Sequence, residues 1–181
     1  PASYAKYTQP DYSAELMFDE ITDFVAENVT NPFFLYWANP IPHVPLQAPQ
    51  RWVDYYVKKF GDEEPYIGDK GYFPNRTPHA AYAAMISYMD EQVGLLFNQL
   101  KDLGIYKNTL IIFTSDNGPT YAGGADSEWF DSAKPFSSAT GRGKGNVYEG
   151  GIRVPMIASW HGRIKAGSTS DHASAFYDVL P

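Results

Sequence analysis

The stretch Thr109–Gly118, TLIIFTSDNG, decides how the rest of this chain is read. Thr109 to Thr114 form a near-continuous run of apolar, β-branched and aromatic side chains, the pattern of a parallel strand buried on both faces. The run stops at Ser115, Asp116, Asn117, Gly118 and Pro119, so a carboxylate and a carboxamide stand where a buried strand opens into a turn. Open α/β sheets collect ligands at the carboxyl ends of their strands. Adjacent Asp and Asn oxygens suit a hard cation such as Ca²⁺. The same residues are common turn formers, and an ordinary turn accounts for the composition too.

Upstream, Thr77-Pro78 is a helix start, with Thr at the cap and Pro at the first helical position. Tyr82, Met85, Ile86, Met89, Val93, Leu96, Phe97, Leu100 and Leu103 then recur every three or four residues until Gly104, which predicts one helix over 78–103 packed on a core. Further back, residues 33–38 (FFLYWA) read as a second buried strand, and 154–160 (VPMIASW) as a third. Joining 33–38 to 109–114 through the long helix makes a βαβ crossover, which places the ends of both strands on one sheet edge. Another amphipathic helix is expected from Ser13, its proposed cap, through Met17, Ile21, Phe24 and Val25. The expected fold is α/β, with a parallel-rich central sheet sandwiched by helices and incomplete in this chain.

Two loops leave the predicted edge, and a third segment follows the second of them. The first, NPIPHVPLQAP after residue 38, holds His43 among Pro40, Pro42, Pro45 and Pro49; prolines lower the entropy lost in placing it, and imidazole exchanges protons near neutral pH. A second, long and aromatic, follows Pro119 and is long enough to help line a site. The third is SSATGRGKGNVYEGGIR, residues 137–153, whose glycines permit close backbone approach or positive φ, and whose Arg142, Lys144 and Arg153 are the densest positive charge in the chain. It has neither the order of a P-loop nor that of a dinucleotide fingerprint. A flexible basic linker would have the same composition.

The chain has 181 residues, 44% hydrophobic, enough for a full-sized core. A formal net charge of -7 would repel nucleic acid, which is excluded as an expected partner. No apolar run approaches the roughly 20 residues of a membrane span. With no cysteine, disulfides and thiolate metal sites are impossible. The sequence starts at Pro1 without Met and stops at Pro181, just after Phe176, Val179 and Leu180 begin a helical spacing, so it reads as a piece of a longer protein.

Taken together, PFFLYWANPIPHVP, AAMISYMDEQVGLLFNQLKDLGI, TLIIFTSDNGP and GKGNVYEGGIRVPMIASWHGRI resemble the type I sulfatases, the arylsulfatase-like branch of the alkaline phosphatase superfamily. The resemblance implies that residues 1–181 are part of a sulfatase catalytic domain whose N-terminal part, with the nucleophile, lies upstream. It implies an alkaline phosphatase-like fold and sulfate-ester hydrolysis, on a sulfated small molecule or glycan, in an exported protein. Asp116 and Asn117 then correspond to metal ligands, for Ca²⁺ ahead of Mg²⁺. His43 and Lys144 correspond to residues that bind the sulfate ester and take part in catalysis. Arg142 stands two places before Lys144, where family members often have Arg three places before, and its role stays open.

The family nucleophile, a formylglycine made from Cys or Ser in a Cys/Ser-x-Pro-x-Arg motif, has no counterpart here, nor do the remaining metal ligands. Ca²⁺ takes about 6 to 8 oxygens. The isolated chain is therefore expected to be inactive and to bind Ca²⁺ weakly if at all. Two other readings stand beside this one: a phosphomonoesterase or phosphodiesterase of the same superfamily, whose sites favour Zn²⁺ and histidines, and a non-catalytic anion- or glycan-binding module. Oligomeric state is not legible.

Overall fold

The computed structural model describes residues 10–69 and 71–179; Leu180, part of the helical spacing expected at the end, lies outside them. The elements in order are α1 (Ser13–Glu27), α2 (Gln50–Phe60), α3 (Pro78–Asp102), a 3₁₀ turn (Tyr106–Asn108), β1 (Ile111–Thr114), the single turn α4 (Glu149–Ile152), β2 (Met156–Ser159) and a second 3₁₀ turn (Phe176–Asp178).

The long helix α3 forms as its sequence requires. Its end is set by Gly104 at φ +75: Ile105 N–H donates to Leu100 O at 3.0 Å and Gly104 N–H to Lys101 O at 3.0 Å, the paired bonds of a Schellman stop. The start differs in one respect. Pro78 occupies the first turn, but the Thr77 hydroxyl makes no cap bond. The Glu63 carboxylate serves instead, accepting from His79 N–H at 2.7 Å and Ala80 N–H at 3.1 Å. A remote carboxylate does the capping because an anion is favoured at the positive end of the helix. Ser13 is likewise the first helical residue of α1 and not its cap, a position held by Tyr12.

One face of α3 receives the core, in which Ala81, Tyr82, Met85 and Tyr88 pack with Ala14, Ile41, Val44, Leu46 and Ala125. Burying each larger side chain contributes roughly 1.5–3 kcal/mol. The rest of the expected stripe is only partly covered, and Ile86 is exposed. Two glutamines fasten α1 to α3: the buried Gln92 donates to Ala14 O at 2.9 Å and Gln99 to Thr22 O at 2.7 Å. Burial pushes the Tyr88 phenol up to about 12.

Helix α2 lies along α3. Glu91 of α3 accepts from Arg51 Nη1 at 2.7 Å and Nη2 at 3.1 Å, and from Trp52 Nε1 at 2.7 Å. The Arg51 hydrogen bond is the main reason the Glu91 carboxyl titrates below its ordinary value. Its folded pKa is depressed, so its contribution to stability is present above the unfolded pKa and is lost as pH falls through the folded one. In urea titrations between pH 7 and 3, Glu91→Gln is expected to flatten this acid limb, whereas an unchanged slope would remove the clasp from the pH dependence.

The sheet differs from the sequence expectation. Among the described residues it has two strands, β1 and β2, antiparallel, with Ile111 opposite Ser159 and Thr114 opposite Met156. Neither is buried on both faces: Ile112 and Phe113 of β1 and Met156 and Ile157 of β2 are exposed. An apolar run specifies burial preference but not partner direction, and here the intervening loops fold back so that the chain returns along β1. Among the described residues, 33–38 pair with no strand, so the parallel βαβ unit expected from them is not seen there. They are nonetheless extended with a period of two. Phe33 and Trp37 pack on Phe24 and Phe18 of α1, while Phe34 and Tyr36 point to solvent.

Candidate functional site

The turn that ends β1 leaves its polar groups uncommitted. Asp116 is exposed, and among the described residues its carboxylate makes no hydrogen bond or ion pair. The half-buried Asn117 donates through Nδ2 to Gly118 O at 2.9 Å, and among the described residues its Oδ1 has no hydrogen-bond partner. Two hard oxygens from neighbouring residues are thus open to a cation. No group of three or more His, Cys, Asp or Glu able to hold a metal occurs among the described residues. The donor chemistry fits Ca²⁺, but two residues supply only part of its coordination.

Residues 137–153 are not a free linker. Gly118 N–H donates to Gly151 O at 2.9 Å, and Lys144 N–H donates to Pro119 O at 2.9 Å, so the glycine-rich segment is laid directly against the DNGP turn. The glycines make this possible. A Cβ on Gly118 would stand 1.8 Å from Gly150 O, and one on Gly143 would stand 2.3 Å from Pro119 O. Gly141 and Gly145 serve the other purpose, with φ of +82 and +83. The segment also contains the helical turn α4.

Lys144 follows as the cation of interest. Arg142 sits with its Cζ 3.8 Å over the Tyr148 ring, and Arg153 is paired with Glu149 at 2.9 Å. Both charges are engaged. Lys144 is half-buried, and among the described residues its ammonium has no hydrogen bond or ion pair.

His43 is carried by a loop whose flanks, Ile41 and Val44, are buried anchors, while His43 itself is exposed. Its N–H donates to Pro40 O at 2.7 Å. Nδ1 lies 2.5 Å from Val44 O, so Nδ1 carries the proton and Nε2 is left for another partner. The structure ties Asp116, Asn117 and Lys144 into one backbone-bonded cluster. His43 reaches it indirectly: Gly123, in the loop leaving Pro119, lies so close to Val44 that a Cβ would meet Val44 Cγ1 at 2.8 Å. Among the described residues no hydrogen bond or ion pair joins His43 to the other three.

Sequence reasoning passed over a second constellation. His79 lies between Glu63 and Asp126, with Nδ1 3.4 Å from Glu63 Oε2 and Nε2 3.1 Å from Asp126 Oδ2, and its ring stacks on Trp129 at 4.3 Å. These residues come from three separated segments and carry no common motif, so no local pattern could have found them.

A model of the family described as Sulfatase matches residues 2–181. Arylsulfatase A of Homo sapiens is 31% identical over 100% of this chain and 28% of its own length. N-acetylgalactosamine-6-sulfatase of Canis lupus familiaris is 30% identical over 92% of this chain and 27% of its own. Among solved structures, Ps i-CgsB in complex with k-i-k-neocarrahexaose superposes with a TM-score of 0.68 and 32% identity, over 88% of this chain and 30% of that one. The chain therefore spans less than a third of the length of each of these proteins.

Proposed function

The chain belongs to the sulfatase family, and from that premise we propose that the full-length protein hydrolyses a sulfate ester, with this segment supplying one wall of the site. The observation that carries the proposal is the pairing of an uncommitted ammonium, Lys144, with the open oxygens of Asp116 and Asn117, on segments bonded to each other through Pro119 and Gly118.

In this reading Lys144 binds a peripheral sulfate oxygen and offsets the negative charge that grows there as the ester bond breaks. His43, with Nδ1 committed to Val44 O, presents Nε2 to the bridging or a peripheral oxygen and, when protonated, delivers a proton to the departing alcohol. Asp116 and Asn117 would hold Ca²⁺, which when bound supplies Lewis-acid polarisation of the sulfate. The nucleophile, a formylglycine in this reading, would come from sequence upstream of Pro1. Relatives named for N-acetylgalactosamine-6-sulfate and crystallised with a neocarrahexaose support a sulfated glycan as the substrate class. Export from the cytoplasm is part of the same proposal.

The test is sulfate release by the full-length protein from an aryl sulfate and from sulfated oligosaccharides, beside the matching phosphate esters. Preferential sulfate release with Ca²⁺ present is the expected result. Hydrolysis of the phosphate esters alone would put the phosphoesterase reading in its place.

A further inference from the structure

The cluster at the start of α3 has a fixed end and a held end. Glu63 is the fixed end: its side chain is 7% exposed, and its oxygens already cap the helix through the N–H groups of His79 and Ala80. The imidazole of His79 passes that anchorage on to the loop after Pro119. Its Nε2 bonds Asp126 Oδ2 at 3.1 Å, and its ring lies on Trp129 with planes 12° apart. Asp126 Oδ1 in turn accepts Trp129 N–H at 3.1 Å. Asp126 and Asp131 have φ of +42 and +49, a conformation that non-glycine residues keep only where the surroundings over-determine it.

What this loop touches gives the cluster its reach. At Gly124 a Cβ would stand 2.9 Å from Pro78 Cβ, and at Gly123 one would stand 2.8 Å from Val44 Cγ1, next to His43. The loop begins at Pro119, whose carbonyl holds the Lys144 backbone. Helix α3, the His43 loop, the Asp116–Asn117 turn and Lys144 are thus linked through one segment, and His79 is its grip on the rigid helix.

We propose that His79 is a positioning residue: through Asp126 and Trp129 it fixes the 119–137 loop, and with it the spacing of His43, Asp116, Asn117 and Lys144. The consequence for turnover rests on the sulfatase reading above, but the hold on the loop does not. Removing the imidazole leaves the Glu63 cap intact, since that cap uses backbone N–H groups, so helix and loop can be told apart.

The test uses the full-length protein with His79→Ala, His79→Gln, Asp126→Ala and the double variant His79→Ala/Asp126→Ala. Hydrogen exchange of residues 119–137 is expected to quicken about tenfold in His79→Ala while α3 beyond its first turn keeps its protection. Turnover of an aryl sulfate is expected to fall on the order of 10- to 100-fold, chiefly in kcat. His79→Gln, whose amide can still donate to Asp126, should restore most of both, and the double variant should add little to either single one. Unchanged loop exchange in His79→Ala overturns the proposal, as does equal loss of protection along α3 or full additivity in the double variant. A loosened loop with undiminished turnover overturns the positioning role. If the wild-type protein released no sulfate, the functional reading would fall while the exchange data still decided the clamp.

Discussion

Lys144→Ala in the full-length protein is expected to lower turnover of a sulfate ester about 10²- to 10³-fold, equivalent to about 2.7–4 kcal/mol of lost transition-state stabilisation. The size of the effect follows from the state of the ammonium. Arg142 is held against Tyr148 and Arg153 against Glu149, so neither can take over without giving up an existing partner. Lys144 is half-buried and fixed through its backbone to Pro119, an arrangement that needs little reorganisation to meet an anion. Lys144→Arg should rescue poorly, because a planar fork replaces a compact ammonium. Lys165→Ala, at an exposed position, is the control and should change stability by no more than about 0.5 kcal/mol. Wild-type turnover in Lys144→Ala would remove this residue from the site and return residues 137–153 to a purely structural role.

Gly118→Ala should be worse than any side-chain truncation, because it separates the two segments on which the site is built. Its Cβ would stand 1.8 Å from Gly150 O, 2.8 Å from Gly150 C and 3.0 Å from Gly151 Cα, all backbone, so no side chain can swing aside. The loops must part, and the Gly118 N–H to Gly151 O bond of 2.9 Å goes with them. We expect a loss of about 3 kcal/mol or more in denaturant titrations together with loss of turnover. Two other glycines calibrate the result. Gly145→Ala, at φ +83 with open space around it, should cost only the roughly 1–2 kcal/mol of left-handed backbone. Gly94→Ala, in α3 with nothing within 4 Å, should stabilise by about 0.5–1 kcal/mol. Equal effects at all three positions would show that close approach at Gly118 is not what its glycine is for.

Much of this was legible because it is local. The stripe from Tyr82 to Leu103 and the stop at Gly104 need only neighbours three to six residues away, and α3 follows them to within one residue. The glycines of 137–153 were expected either to admit close approach or to take positive φ, and the two groups sort cleanly in the structure. The resemblance to the sulfatases picked out Asp116, Asn117 and Lys144 as candidates. It could not show that one is bonded through its backbone to the turn that carries the others.

What the sequence determined by itself, then, is periodicity, punctuation and the chemical type of each exposed group, all carried by residues close together in the chain. The tertiary structure alone decided the rest. Residues 33–38 have the composition of a strand and an alternating exposure, yet a strand exists only when another backbone accepts its hydrogen bonds, and none does among the described residues. β1 runs against β2 because of where the intervening loop returns, which no apolar run encodes. Glu63 caps α3, and His79 joins Asp126 to it, across separations of 16 and 47 residues. Such contacts depend on the closure of whole loops and not on the preferences of any one segment.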